Sequence, residues 1–329
     1  MRLLILGGSE FLGRALVDDA LTRGWDVTVL NRGRNEPPPG ATVLHGDRTA
    51  PDGLRALGGG AWDAVVDTWS WAPSAVRDAA RALAGRADRF GYVSSCSVYP
   101  LPSPPGTTED APVVQGSPDD DRGDDYAKAK HGGELAAAAE FGPDRTLLVR
   151  AGLILGPYEN VGRLPWWLTR IAEGGRVLAP GPRDLGLQFI DSRDLAAWTL
   201  DAIEKPLSGP YNVTSAPART TMRELLEACI RVTGADAQLV WTDPERILDT
   251  GIEPWTELPA WLPPGELYDS LYRVNVDRAL ATGLRCRPVD ETVADTWAWL
   301  RTIGGRAPQR PDRPSPGLPR EKETRLLES

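Results

Sequence analysis

Short apolar runs and amphipathic stretches alternate along the first 150 residues. Leu3 to Leu6 is a continuous apolar run closed by Gly7-Gly8, which predicts a buried strand. Phe11 to Arg23 places Phe11, Leu12, Ala15, Leu16 and Ala20 on one side at helical period. Val27–Leu30, Val43-Leu44, Ala64–Val66, Phe90–Val93 and Thr146–Val149 predict further strands, with helices over Ala75–Leu83 and Tyr126–Glu140. A step of roughly 25 residues per strand and helix suits right-handed crossovers, so the expected fold class is α/β with a doubly wound parallel sheet.

After Arg150 the rhythm breaks. Pro165-Trp166-Trp167, a hairpin-like stretch from Arg176 to Ile190, and Trp241 to Trp261 predict a smaller, irregular lobe. Most of the 12 tryptophans fall there, giving it large flat apolar surfaces for core packing or for walling a ligand. The segment 304–329 carries five prolines, many charges and no periodicity, and is expected to be a disordered tail. No internal repeat is visible.

The turn Gly7-Gly8-Ser9-Glu10-Phe11-Leu12-Gly13 lies between a strand and a helix, the context a dinucleotide-binding fingerprint requires. Gly7 can make the tight turn, first-turn amides can face a diphosphate, and Gly13 lets the helix lie close to the sheet. Glu10 stands where that pattern would have glycine. Its carboxylate would repel a diphosphate and is expected to turn to solvent or a cation. A Rossmann-type sheet over 1–155 is therefore expected, with segments around 187–213 returning to it and 156–303 forming mainly a substrate-binding lobe. Asn31-Arg32-Gly33-Arg34 follows the second strand with two guanidiniums and no carboxylate. Arginine suits a ribose 2′-phosphate, so NADP is preferred over NAD.

Tyr126 and Lys130 are four apart on one helical face, and the fifth strand ends in Ser94-Ser95-Cys96-Ser97-Val98-Tyr99. With Gly46-Asp47, Arg150 to Pro157, Phe189 to Ala196 and Tyr211-Asn212-Val213, these segments resemble, in order from Met1 to about Trp299, the extended and atypical short-chain dehydrogenase/reductases of the NAD-dependent epimerase/dehydratase family. The resemblance implies Ser95 as catalytic hydroxyl, Tyr126 as acid/base and Lys130 as its partner, which also holds the nicotinamide ribose. It implies Gly7 to Gly13 at the diphosphate and Asp47 at the adenine. Cys96 and Ser97 replace the Asp and Glu of the family's dehydratases, which disfavours elimination of water. The activity implied is hydride transfer at an alcohol or carbonyl carbon of a sugar nucleotide or small natural-product-like molecule, as an oxidoreductase or an epimerase. A phenol ordinarily titrates near 10, and a neighbouring ammonium favours its anion, the form that abstracts a proton. The rival class is a non-catalytic nucleotide- or RNA-binding protein on the same fold.

Composition narrows the partners. With 37 Lys+Arg against 46 Asp+Glu the net charge is −9, which disfavours a nucleic-acid partner. No apolar run reaches the ~20 residues of a membrane span. Three scattered cysteines and two histidines suggest no disulfide framework and no metal site, and a cytoplasmic location is expected. Asp119-Asp120-Asp121 with Asp124-Asp125 reads as a solvated loop, Cys96 as core filler, His131 as a bystander and Arg193-Asp194 as a structural ion pair opening a helix. Oligomeric state is left open, a homodimer among the options.

Overall fold

Apolar residues on successive positions of the N-terminal strands are buried on both sides, so these strands need helices on both faces. The computed structural model describes residues 1–310 and 314–328. It opens with β1 (Arg2–Leu6), α1 (Phe11–Thr22), β2 (Asp26–Asn31), β3 (Thr42–His45), β4 (Trp62–Asp67), α2 (Pro73–Leu83), β5 (Ala87–Ser95), α3 (Tyr126–Phe141) and β6 (Thr146–Ala151). Then come β7 (Leu153–Leu155), α4 (Arg163–Ala172), β8 (Gly175–Pro180), β9 (Gly186–Leu187), β10 (Phe189–Asp191), α5 (Ser192–Glu204) and β11 (Gly209–Val213). The chain ends through β12 (Thr220–Thr221), α6 (Met222–Thr233), β13 (Ala237–Thr242), α7 (Pro244–Asp249), α8 (Glu266–Tyr272), α9 (Asp277–Ala281), α10 (Val289–Thr302) and α11 (Arg320–Glu328).

Seven strands form one parallel sheet in the order β3-β2-β1-β4-β5-β6-β11. Leu3, Ile5, Val27, Val29 and Val149 face α1 and α5, while Leu4, Val65, Phe90 and Tyr92 face α2 and α3. This is the Rossmann-like α/β arrangement, with the chain reversing direction across the sheet between β1 and β4. The segment 187–213 rejoins it through α5 against α1 and β11 against β6.

Close approach of α3 depends on two glycines. A Cβ on Gly133 would lie 2.4 Å from the Tyr92 hydroxyl oxygen, and one on Gly132 would lie 2.4 Å from the Ser117 carbonyl. A separate core gathers Trp167, Ile171, Leu178, Leu226, Trp261 and Leu300.

Three expectations are corrected. Residues 176–190 form no hairpin: β8 pairs in parallel with β13, and β9 pairs with β12. Apolar Val177 and Leu178 reach their partners Leu239 and Val240 only after α5 and α6 have intervened. The described part of 304–329 is ordered rather than a disordered tail. It ends in α11, where Glu323 is 2% exposed and accepts from Arg170 Nε at 2.8 Å, and Leu318 and Leu326 join the apolar core. Residues 311–313 and 329 lie outside the described residues. Finally, Arg193 and Asp194 do not pair together. Asp191 caps α5 and binds Arg193, while Asp194 binds Arg287 at 2.7 Å.

Candidate active site

A cleft of about 920 Å³ runs along the carboxyl ends of β1, β2 and β4, where open α/β sheets bind ligands. Gly7 (φ +124°) and Gly8 (φ +91°) make the turn out of β1. A Cβ on Gly13 would sit 2.6 Å from the Gly8 amide nitrogen, so Gly13 allows α1 to start against the turn. Gly7, Gly8, Ser9, Glu10 and Phe11 line the cleft, whereas Leu12 packs into the core. No side chain caps α1. Its opening amides are an anion-binding end of the kind that holds a diphosphate.

Among the described residues Glu10 has no ion-pair partner. Its carboxylate accepts from the side-chain amides of Asn35 and, at 2.7 Å, Asn160. Asn31 donates to Ser9 Oγ at 2.7 Å and accepts the Gly33 amide at 2.8 Å. These bonds fold the loop that carries Arg32 and Arg34 along the cleft. Asp47, also in the lining, accepts from the hydroxyl and amide of Thr49 at 2.7 and 3.0 Å. Those bonds, with Arg32 and Arg34 nearby, hold its carboxyl below the usual carboxylate range.

The far wall is built by residues with no local sequence signal. Arg48 binds Asp67 through two bonds of 2.6 and 2.7 Å, and Asp67 accepts the Trp69 amide. This buried pair stiffens the loop Thr68-Trp69-Ser70-Trp71 that lines the cleft. Tyr158, Asn160, Trp299, Ile303, Gln309 and Arg310 close the cleft from the second half of the chain. Tyr158 has φ +65°, packs at a tilt against Trp299 with centroids 5.3 Å apart, and lies under the Arg14 guanidinium at 4.4 Å. A bulky residue in the left-handed region is strained by about 1–3 kcal/mol and persists only where its surroundings fix it.

Beside Tyr158, Glu159 is fully buried and accepts the Arg163 and Leu164 amides at the start of α4. Burial pushes its carboxyl up to about 7. The folded chain therefore holds this proton more tightly than the unfolded chain, whose glutamate titrates near 4.5. The stabilisation is full below that lower value and lost as pH rises through the upper one. Replacing Glu159 with Gln should leave the variant up to about 3 kcal/mol better off, relative to the parent, at about pH 8.5 than at about pH 4. Urea midpoints at the two pH values check it; a parallel shift in both proteins counts against it.

Ser95, Tyr126 and Lys130 are not in the lining of this cleft; Lys130 reaches its edge through the carbonyl of Trp69. Ser95 ends β5, 8% exposed, with its Oγ accepting the Ser97 amide and donating to Ser97 Oγ, both at 3.1 Å. Asp125 caps α3 through the Lys128 amide, so Tyr126 opens the helix and is 36% exposed. Lys130, one turn on, is 2% exposed, and its Nζ donates to Val93 O and Trp69 O, both at 2.7 Å. The ammonium sits 5.9 Å from the Tyr126 ring centroid. It thus joins the strand that ends in Ser95, the loop that lines the cleft and the helix that presents the phenol.

Farther along α3, Glu134 accepts from Ser94 Oγ at 2.6 Å and from Arg150 at 2.9 and 2.8 Å. Arg150 continues to Tyr99, which donates to Asn212 at 2.7 Å. Cys96 donates to Arg150 O, and burial pushes its thiol up to about 12, a state unsuited to nucleophilic work. His131 accepts the Gly116 amide through Nδ1 and is lowered by burial. The acidic loop serves turns and caps: Asp120 accepts the Arg122 and Gly123 amides, and Asp119 pairs with Arg77. Among the described residues no helix is long and apolar enough to cross a membrane.

A family model described as "NAD dependent epimerase/dehydratase family" matches residues 3–214, from β1 through β11. The chain belongs to that family. Solved structures share the fold of this epimerase/dehydratase chain. A protein from Burkholderia cenocepacia, provisionally assigned as an epimerase, is 23% identical with a TM-score of 0.67, covering 92% of this chain and 97% of its own. UDP-glucose 4-epimerase from Thermus thermophilus in complex with NAD is 21% identical with a TM-score of 0.64, covering 92% and 99%. The Bordetella bronchiseptica enzyme WbmG with NAD and UDP is 18% identical with a TM-score of 0.64, covering 93% and 96%. No curated protein shows significant sequence similarity to the chain.

Proposed function

We propose that this chain is an NAD(P)-dependent oxidoreductase or epimerase acting at an alcohol or carbonyl carbon of a sugar nucleotide or a small natural-product-like molecule. The observation that carries it is the buried Lys130 ammonium, held by Val93 O and Trp69 O beside the Tyr126 ring. The NAD and UDP in the complexes of the fold relatives support the same direction.

The residues present fit a dinucleotide. A cradle that a Cβ would fill, an uncapped α1 and the cleft volume suit a diphosphate, with Asp47 at the adenine and Arg32 and Arg34 at a 2′-phosphate. When bound, the nicotinamide supplies the hydride acceptor or donor. Tyr126, with the Lys130 ammonium 5.9 Å from its ring centroid, takes the proton from a substrate hydroxyl or returns it to a carbonyl. Ser95 Oγ, now bonded to Ser97, turns to the same substrate oxygen and aligns it. Cys96 and Ser97 offer no carboxylate pair for elimination of water, which favours redox or epimerisation over dehydration.

Fluorescence of NADPH titrated with the protein, followed by turnover of keto-sugars with tritiated NADPH, tests the reading. Saturable binding and label either in product or exchanging are expected; salt-sensitive RNA retention without dinucleotide uptake overturns it. NADP is preferred in this reading because bidentate guanidiniums match a phosphate. Replacing Arg32 and Arg34 together with Ala should weaken NADPH binding roughly tenfold or more and leave NADH nearly unchanged. Equal losses for both would remove these residues from 2′-phosphate recognition.

A further inference from the structure

Glu10 is the residue that fits the glycine turn worst, and its surroundings give it a task. It stands at the entrance of α1 with one carboxylate oxygen on Asn35 and the other on Asn160. Asn35 directly follows Arg34 in the loop after β2. Asn160 belongs to the loop that strained Tyr158 and buried Glu159 hold in place. The Asn160 carbonyl accepts the Arg310 amide at 3.2 Å, and the Arg310 guanidinium lies 5.4 Å from the Trp71 ring on the opposite wall. Glu10, Asn35, Asn160, Arg310 and Trp71 all line the cleft. A line of contacts therefore crosses it from the Arg34 loop through Glu10 to Asn160, Arg310 and Trp71.

We propose that Glu10 is a positioning residue for the dinucleotide, clasping the Arg34 loop and the Asn160 loop across the cleft and so setting both cofactor preference and cofactor release. The proposal rests on the dinucleotide reading given above. Two amide donors stabilise the carboxylate and fix its direction at the turn, its charge being retained. The Asn35 arm fixes the loop that presents guanidiniums to the 2′-phosphate. The Asn160 arm fixes the segment that lines the cleft from the second half of the chain.

The test uses the full chain and its Glu10→Ala, Glu10→Gln, Asn35→Ala and Asn160→Ala variants. Equilibrium binding of NADPH and NADH is read by fluorescence, and NADPH release is timed in stopped flow against excess NADP. Losing both arms should speed release about tenfold and cut the NADPH-to-NADH preference about fivefold, from bonds of ordinary charged strength. Glu10→Gln should fall between the parent and Ala. Asn160→Ala should change release more than preference, and Asn35→Ala the reverse. Mere loosening of the turn would weaken both dinucleotides alike, so an unchanged ratio in Glu10→Ala and Asn35→Ala overturns the assignment. So does tighter binding with no faster release in Glu10→Ala, the behaviour of a simply repulsive carboxylate. A parent chain that takes up neither dinucleotide overturns the functional reading as well. Normal uptake with identical kinetics in Glu10→Ala overturns only the clasp.

Discussion

Replacing Tyr126 with Phe is expected to lower kcat by roughly a thousandfold, in the range ascribed to a positioned acid or base. The ring should keep its place at the start of α3, because Asp125 caps that helix through the Lys128 amide and the phenol oxygen takes no part in the cap. Lys130 keeps its bonds to Val93 O and Trp69 O. NADPH affinity should therefore stay within about twofold of the parent, since the cleft lining does not include Tyr126. The measurement is a pair: steady-state turnover with a reducible ketone or keto-sugar, and NADPH titration of the same preparation. Retained turnover removes Tyr126 from the chemistry, and a parallel collapse of NADPH binding makes its role structural.

The second large effect concerns folding. Glu134→Ala should destabilise the chain by about 3–5 kcal/mol, the scale for removing one partner of a buried ion pair. Glu134 and Arg150 side chains are only 3% and 6% exposed, so water cannot replace the lost carboxylate. Arg150 would keep Tyr99 and the Glu109 carbonyl but lose its two bonds to Glu134, from Nε and one terminal nitrogen, and the Ser94 hydroxyl would lose its acceptor. Glu134→Gln keeps an acceptor without the charge and should cost less. Urea unfolding at neutral pH checks both. A loss below about 1 kcal/mol for Ala would mean the network is worth no more than an exposed pair.

Much of this was visible in the order of residues, and the reasons are local. The strands of the sheet are apolar on both faces and bounded by Gly, Asp or charged turns, so β1, β4 and β5 stand out over a few residues. Tyr126 and Lys130 could be paired because a helix forces positions four apart onto one face. The parallel pairing of β8 with β13 could not, since no short-range rule links Gly175 to Ala237. Helix α11 is mostly charged, and its one buried acid, Glu323, is indistinguishable from solvated neighbours until Arg170 is found opposite it. The cleft was half legible. Gly7 to Phe11, Arg32, Arg34 and Asp47 sit in one run of sheet and turn, while Tyr158, Asn160, Trp299 and Arg310 arrive from distant segments. Glu10 looked like a defect because its amide partners lie 25 and 150 positions away.

The tight seat of α3 against the sheet bears on how this fold could vary. Gly132 and Gly133 leave no room for even one methyl group between the helix and Ser117 or Tyr92. A larger residue at either position would push α3 away from its neighbours and carry Tyr126 and Lys130 with it. Variation on this helix is left to its exposed positions, such as Leu135.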